Sequence, residues 1–216
     1  MNIAIDGPAG AGKSTIAKLV ADKKGFIYVD TGAMYRSIAL YIIKNDIDSD
    51  NDDDVKTACD NIDIKIKYVD KVQHIYLNGE DVSTAIRREE VGNMASKVAA
   101  KKVVREKLLN LQRELAASND VIMDGRDIGT FVLPNAELKI YLTASVYTRA
   151  KRRYDQLVEK GENPDLGKIE EDIEKRDYQD MHRDIAPLKQ AEDAILLDTS
   201  DMTIDEVVEK IITLIR

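Results

Sequence analysis

The sequence predicts an α/β fold, in which helices flank a parallel sheet of five strands. Three observations predict it. The chain opens with an apolar strand, a glycine-rich turn and a helix, further short apolar runs alternate with helical patterns, and 216 residues suit one such domain. The predicted strands cover residues 2–6, 26–29, 121–124, 138–142 and 194–197. The predicted helices cover residues 13–24, 33–44, 88–117, 145–160, 168–182 and 203–215.

One segment breaks the alternation of strands and helices. Residues 62–67 alternate strictly between apolar and polar side chains, Asp70 and Lys71 supply a turn, and residues 72–77 return. Strict alternation is typical of an antiparallel hairpin with one solvated face. We therefore expect a small insert at residues 62–84.

The composition excludes several classes of protein. Hydrophobic residues make up 44% and charged residues 33% of the chain, which is ordinary for a globular protein and excludes collagen-like and wholly disordered chains. The net charge of −8 disfavours a protein that binds long nucleic acids. No apolar run is long enough to cross a membrane, and no export signal is visible. A single cysteine fits a reducing compartment, so we expect a cytoplasmic protein.

The glycine-rich turn fits the phosphate-binding pattern G-x-x-x-x-G-K-[ST]. In this P-loop, backbone N–H groups surround phosphate oxygens, the lysine reaches the β- and γ-phosphates, and the Ser14 hydroxyl is suited to Mg²⁺. We expect a P-loop NTPase-type fold that binds ATP. The predicted ATP-binding residues of the loop are Gly7, Pro8, Ala9, Gly10, Ala11, Gly12, Lys13, Ser14 and Thr15.

Two other phosphate-binding classes fit less well. A dinucleotide-binding loop requires a third glycine where this chain has Thr15. A GTPase requires an N-K-x-D or T-K-x-D element, which occurs nowhere in the sequence.

Arginine is concentrated in the second half of the chain. Six of the twelve arginines lie between residues 126 and 183, and arginine suits bidentate contacts with phosphate. The arginine and aspartate residues expected at the carboxyl edge of the sheet or along two helices are Arg36, Arg126, Asp127, Arg149, Arg152, Arg153, Arg176, Asp180 and Arg183. Together with the P-loop, they predict a clamp for a second phosphorylated ligand.

At this point the chain resembles the bacterial cytidylate kinases, a branch of the nucleoside monophosphate kinases. The matching stretches are GPAGAGKST (7–15), VDTGAMYR (29–36), NMASKVAA (93–100) with Arg105, MDGRDIGT (123–130) and RDYQDMHRDIAPL (176–188). The resemblance implies transfer of the γ-phosphoryl group of ATP to CMP and dCMP, in line and with Mg²⁺. It also implies that the insert belongs to a lobe that binds the monophosphate, and that the arginines of residues 145–160 form a lid over ATP.

The resemblance also implies individual roles. Arg36, Arg126 and Arg183 would hold the acceptor phosphate, Ser96, Arg105 and Asp127 would read the cytosine, and Arg176 and Asp180 would hold the sugar. Cytosine offers an amino donor and N3 and O2 acceptors, so this set is complementary to it. Thr31 is a further CMP-binding residue, Arg149 and Arg152 bind ATP, Ser14 and Asp124 hold the metal, and Lys13, Arg126, Arg153 and Arg183 are the catalytic cations.

The expected organisation is a single kinase domain over residues 1–216. Residues 1–36 and 119–216 form its core, with the lid at about 149–167, and residues 37–118 contain a helical region and the insert. We expect a monomer whose partners are the nucleotides ATP, CMP and dCMP, without nucleic acid or membrane. Two alternatives stay open: a related kinase for UMP or another metabolite, and an ATP-binding module without catalysis.

Overall fold

The computed structural model describes residues 1–70 and 72–215. The strands are β1 Asn2–Asp6, β2 Ile27–Asp30, β3 Ile64–Val69, β4 Val72–Leu77, β5 Glu80–Asp81, β6 Val121–Gly125, β7 Leu138–Thr143 and β8 Ile195–Asp198. The helices are α1 Lys13–Lys24, α2 Thr31–Lys44, α3 Asp52–Asp60, α4 Glu89–Val98, α5 Lys102–Ser118, α6 Val146–Glu159, α7 Leu166–His182 and α8 Ile204–Leu214.

The main sheet has five strands in the order β2-β6-β1-β7-β8 within the described residues. β1 pairs in parallel with β6 on one side and β7 on the other, and β7 pairs in parallel with β8. The central strand is fully buried from Ile3 to Ile5, as expected of a parallel sheet with helices on both faces. The predicted fold class is confirmed.

The insert is a separate antiparallel sheet with the order β3-β4-β5. Ile64 faces Leu77 and Ile66 faces Ile75 across the first pair of strands, so the alternating apolar residues share one face. The predicted hairpin is confirmed, although Lys71 of its predicted turn lies outside the described residues. The short third strand, β5, was not predicted, because two residues carry no alternation that a pattern could detect.

The chain divides into two compact units. Residues 1–26 and 120–216 form the first unit, and residues 27–119 form the second. The first unit contains the P-loop and the C-terminal helices, and the second contains the antiparallel sheet with α2 to α5. The assignment of core, lid and insert to separate tasks stays a prediction. Among the described residues, no helix is both long enough and apolar enough to span a membrane.

Two predicted helix boundaries are wrong for local reasons. α2 begins at Thr31, two residues earlier than predicted, because the Asp30 carboxylate accepts a hydrogen bond from the N–H of Ala33 and caps the helix. The predicted helix at 88–117 is two helices, α4 and α5. The carbonyl of Ala99, at the break, accepts a hydrogen bond from the Arg105 guanidinium.

The segment after β6 forms a π-helical turn over Ile128–Val132 that the sequence did not predict. Its first two N–H groups are bound by a carboxylate from the neighbouring strand. Asp6, the last residue of β1, is 4% exposed, and its Oδ1 and Oδ2 accept hydrogen bonds from Ile128 N (2.8 Å) and Gly129 N (2.7 Å). Burial raises the pKa of Asp6 from 3.8 to about 6, although the two N–H groups oppose the shift.

The raised pKa predicts how stability depends on pH. The folded protein holds the Asp6 proton more tightly than the unfolded chain, so this contribution is fully present below about pH 4 and is lost as the pH rises through 6. We expect the free energy of unfolding of the protein, minus that of Asp6→Asn, to fall by on the order of 3 kcal/mol between pH 4 and 7. Urea denaturation at several pH values measures it.

Asp193→Asn is the matched control, because Lys139 donates to the Asp193 carboxylate and lowers its pKa. The stability that Asp193 contributes is present above its ordinary pKa and is lost on acidification. The free energy of unfolding of the protein, minus that of Asp193→Asn, should therefore rise with pH. The change should be smaller than for Asp6, because Asp193 is exposed. A flat or rising difference for Asp6→Asn would contradict the assignment.

Candidate active site

The P-loop connects β1 to α1, so the strand and the helix that its sequence pattern requires are both present. Gly7 approaches the sheet so closely that an added Cβ would lie 1.9 Å from the carbonyl oxygen of Leu142. Its φ of +149° is a backbone conformation that would be strained for any other residue type at this position. Gly12 caps α1 without a side-chain hydrogen bond. The N-terminal N–H groups of α1 therefore have no side-chain competitor at the cap, which suits an anion.

Lys13 is buried at the start of α1. Its Nζ donates a hydrogen bond to the carbonyl of Pro8 at 2.7 Å, within the same loop. Burial lowers the pKa of Lys13 well below its ordinary value, and the charge of Arg126 lowers it further, while Asp124 and Asp6 oppose the shift. An anionic phosphate at this position would stabilise the charged ammonium.

Ser14 and Asp124 form an oxygen-rich pair beside the loop. The Ser14 hydroxyl donates to Asp124 Oδ2 at 2.7 Å, and Asp124 is buried near the carboxyl end of β6. Ser14 is exposed, whereas Asp124 is 4% exposed. The structure thus brings together the two predicted metal-binding residues, which are 110 positions apart in the chain.

Two part-buried ion pairs connect the segment after β6 to the end of α7. Arg126 Nε donates to Asp180 Oδ2 at 2.7 Å, and Arg183 Nη2 donates to Asp127 Oδ1 at 3.1 Å. Burial alone would lower the pKa of Arg126, but the charge and hydrogen bond of Asp180 raise it. Burial would raise the pKa of Asp180, but Arg126, Arg183 and Arg176 lower it. Arg126 and Asp180 are therefore both charged at neutral pH.

Arg183 follows the last residue of α7 and is held by the backbone as well. Its Nε donates to the carbonyl of Ala186 at 2.6 Å. Ala186 has a φ of +47°, a left-handed conformation that is uncommon for residues other than glycine. This strained turn fixes the direction of the Arg183 guanidinium towards Asp127.

The three arginines of α6 differ in their surroundings. Arg149 is 3% exposed, and it donates from Nε to the carbonyl of Ala144, from Nη1 to that of Ala9 in the P-loop, and from Nη2 to Asp177 on α7. Arg152 is half-buried and donates to the carbonyl of Thr199 at 2.8 Å. Burial lowers the pKa of Arg152. Arg153 is exposed.

The second unit has its own candidate residues at the start of α2. Asp30 accepts from Arg87 Nη2 at 2.9 Å and from the N–H of Ala33, and its backbone N–H donates to Gln73 on β4. These contacts fix the first turn of α2, which contains the buried Thr31. The insert therefore supports a predicted CMP-binding residue through the backbone.

Arg36, Ser96 and Arg105 lie on three helices of the same unit. Arg36, one turn along α2, donates to the carbonyl of Ile86 at 3.5 Å. Arg105 is 3% exposed on α5, and its guanidinium lies 5.7 Å from the ring centroid of Tyr35. Ser96 is half-buried on α4.

Most of the predicted residues of the first unit therefore meet around the P-loop and the ends of β6 and α7. Sequence reasoning missed Asp6 and Asp177, which hold this arrangement in place. The signal for Asp6 was its position at the carboxyl end of the first strand, directly before Gly7, where ligands gather in such folds. Asp177 is buried beside Arg176 in a helix of many exposed charges, so its pattern carried no signal.

Known proteins resemble this chain over nearly its whole length. Residues 3–216 match the family model described as cytidylate kinase. A cytidylate kinase of Lactobacillus gasseri is 55% identical over 216 residues, covering 100% of this chain and 94% of its own, and one of Caldicellulosiruptor saccharolyticus is 52% identical, covering 99% and 95%. A solved shikimate kinase of Bacteroides thetaiotaomicron shares the fold, with 14% identity, a TM-score of 0.50 and coverage of 99% and 97%.

The family match and the identity extend over nearly the whole chain, and the P-loop that the family's chemistry requires is formed. The resemblance seen in the sequence is thereby confirmed: the chain belongs to the cytidylate kinase family and is a kinase.

Proposed function

We propose that this protein transfers the γ-phosphoryl group of ATP to CMP and dCMP by in-line displacement, with Mg²⁺. One observation carries the proposal. Arg126 follows Asp124 by two residues, and the Asp124 carboxylate accepts from the Ser14 hydroxyl of the P-loop at 2.7 Å, so a second cationic group stands beside the P-loop. A protein that only bound ATP would need the loop alone, whereas transfer between two phosphates requires cations on both.

The acceptor phosphate is already an anion at neutral pH, so the reaction needs no general base. The main barrier is the repulsion between two polyanions. Lys13 would neutralise the donor, and Arg126 and Arg183 would neutralise the acceptor. Because their aspartate partners fix their directions, little reorganisation would be needed when the nucleotides bind.

Magnesium fits the residues that are present. A serine hydroxyl and a carboxylate at 2.7 Å from each other are hard oxygen donors of the kind that Mg²⁺ prefers, with phosphate oxygens and water completing its shell. Ser14 would hold the ion and Asp124 would bind its shell through water. The bound ion supplies charge neutralisation at the β- and γ-phosphates.

The base-reading residues stay proposals that rest on chemical complementarity. Asp127 would accept from the amino group of cytosine, Arg105 would donate to its ring acceptors, and Ser96 would assist. Uracil presents an oxygen in place of the amino group, which would face the Asp127 carboxylate unfavourably. The remaining proposed CMP-binding residues are Thr31, Arg36, Arg176 and Asp180.

For ATP, the proposed arginines are Arg149, Arg152 and Arg153. The contacts of Arg149 support a structural task in addition, because it joins the P-loop carbonyl of Ala9 to Asp177. We further propose a monomeric cytoplasmic protein that acts on free nucleotides and not on nucleic acid.

The first test measures ADP production from ATP and Mg²⁺ with CMP, dCMP, UMP, AMP or GMP. We expect a preference for CMP and dCMP. Asp127→Ala should lower kcat/KM for CMP by about 100-fold, because a charge-assisted hydrogen bond to the base and the partner of Arg183 are both lost. The KM for ATP should change far less.

Asp184→Ala is the control, because it removes an exposed aspartate one residue after Arg183 and should leave both constants unchanged. Equal losses for ATP and CMP in Asp127→Ala would refute the base-reading role. Activity only with another monophosphate would refute CMP and dCMP as the acceptors. No ADP production with any of the five would refute the transfer reaction.

A second test concerns Arg149. A lysine cannot reach three acceptors in different directions, so Arg149→Lys should leave Asp177 buried without its partner and lower the free energy of unfolding by about 3 kcal/mol. The KM for ATP should rise as well, since the P-loop loses the contact at Ala9.

Arg152→Lys is the matched variant on the same helix. Its guanidinium contacts only the Thr199 region and the carbonyl of Ala11 and has no carboxylate partner among the described residues, so we expect a loss below about 1 kcal/mol. Equal destabilisation of both variants in urea denaturation would contradict the structural task of Arg149.

A further inference from the structure

We propose that Asp6 is a positioning residue for the choice of acceptor: its carboxylate holds the segment 126–129, which carries Arg126 and Asp127. The inference rests on the proposed function, because it concerns residues proposed to bind CMP. Asp6 itself is buried at the end of β1 and contacts backbone rather than nucleotide.

The contact is bidentate. Asp6 pairs with Gly125, the last residue of β6, in the β1–β6 register. Its side chain can therefore reach the residues that directly follow β6. There, Oδ1 accepts from Ile128 N at 2.8 Å and Oδ2 accepts from Gly129 N at 2.7 Å. One carboxylate therefore fixes two successive peptide units.

Ile128 and Gly129 are the first two residues of the π-helical turn, and Asp127 is the residue directly before it. The carbonyl of Asp127 accepts from Phe131 N at 2.9 Å and from Val132 N at 3.1 Å. The N–H groups of Ile128 and Gly129 precede these bonds and are the ones that the Asp6 carboxylate binds. The hydrogen bonds of the turn thus fix the carbonyl group of Asp127. The Asp6 carboxylate fixes the N–H group of the next residue, Ile128.

The segment is also confined by Lys139, which packs against Gly129. A Cβ added at Gly129 would lie 3.2 Å from Lys139 Cδ and 3.4 Å from Asp6 Oδ2. Lys139 is buried and is itself fixed by the Asp193 carboxylate and by the Pro134 carbonyl. Gly129 therefore packs against two restrained side chains, and there is little room for the turn to shift.

The restraint reaches the proposed acceptor-binding groups within two residues. Arg126 bonds Asp180 at 2.7 Å, and Asp127 bonds Arg183 at 3.1 Å. A displaced turn would move both side chains away from these partners. Asparagine at position 6 offers one acceptor oxygen, and its amino group faces an N–H donor, so it can hold only one of the two peptide units.

The experiment measures kcat/KM for CMP and UMP, and KM for CMP and ATP, in Asp6→Asn. We expect the CMP-to-UMP ratio to fall about ten-fold and the KM for CMP to rise about ten-fold, which corresponds to the loss of one charged hydrogen bond. The KM for ATP should change by less than about three-fold, because the substitution removes no hydrogen bond made by the P-loop. A merely structural role would not change the ratio between two acceptors.

Two further variants keep the test decisive. Gly129→Ala crowds the same turn, because its methyl group would contact both Lys139 and the Asp6 carboxylate, and should lower the same ratio. Val208→Ala truncates a buried side chain of α8 and should reduce stability without changing the ratio. An unchanged ratio in Asp6→Asn, or equal rises of KM for CMP and ATP in that variant, would overturn the inference.

Asp127→Ala separates this inference from the proposed function. If Asp127→Ala changes the ratio and Asp6→Asn does not, the positioning role of Asp6 is refuted and base reading stands. If Asp127→Ala leaves the ratio unchanged, base reading is refuted. In that case a lowered ratio in Asp6→Asn would still support positioning through Arg126, whereas an unchanged ratio refutes the role of Asp6 in the choice of acceptor as well.

Discussion

The pairing of buried and part-buried arginines with aspartates is the interaction on which the rest of the site depends. Arg126 with Asp180, Arg183 with Asp127, and Arg149 with Asp177 are the three pairs. A buried cation without a partner is strongly destabilising, so these cations can be kept beside the P-loop only if carboxylates neutralise them. The pairs thus make a site for polyanions compatible with a stable fold.

The same pairs connect the site to the fold. Their partners are 28 to 56 positions apart, so each pair forms only when the segment after β6, α6 and α7 have reached their places. Arginine suits this arrangement better than lysine, because a planar guanidinium can bond a carboxylate and a carbonyl in fixed directions at once. Arg149 shows the advantage, with two carbonyls and one carboxylate bound by a single side chain.

The sequence predicted the parts of this structure that follow from local patterns. The P-loop pattern implied its own strand and helix, and the alternation at residues 62–67 implied the hairpin. At the start of α8, Thr203 and Glu206 form a capping box with the spacing of its sequence pattern. The sequence did not predict the π-helical turn at 128–132, because that turn depends on a carboxylate more than 120 positions away. The break before α5 was missed for a different reason, because both flanking segments are good helix formers.

Among the site residues, the sequence identified the side-chain types but not their pairing. Asp127 and Asp180 were expected to face a nucleotide, and the structure adds an arginine partner to each. Pairing between residues that are distant in the chain cannot be predicted from a single sequence, whereas a local motif such as the P-loop can be recognised in it. The arginines of α6 show the limit clearly, because equal residue types on one helix include a buried Arg149 and an exposed Arg153.

The acidic net charge is consistent with this site rather than opposed to it. A net charge of −8 disfavours binding along a nucleic acid, where many exposed cations must meet many phosphates. A pocket for a few phosphates needs only a few cations held in fixed directions, and each of the three arginine pairs adds one aspartate to the count. Part of the acidity of the chain is therefore the set of carboxylates that orients its cations, so net charge and local affinity for anions need not have the same sign.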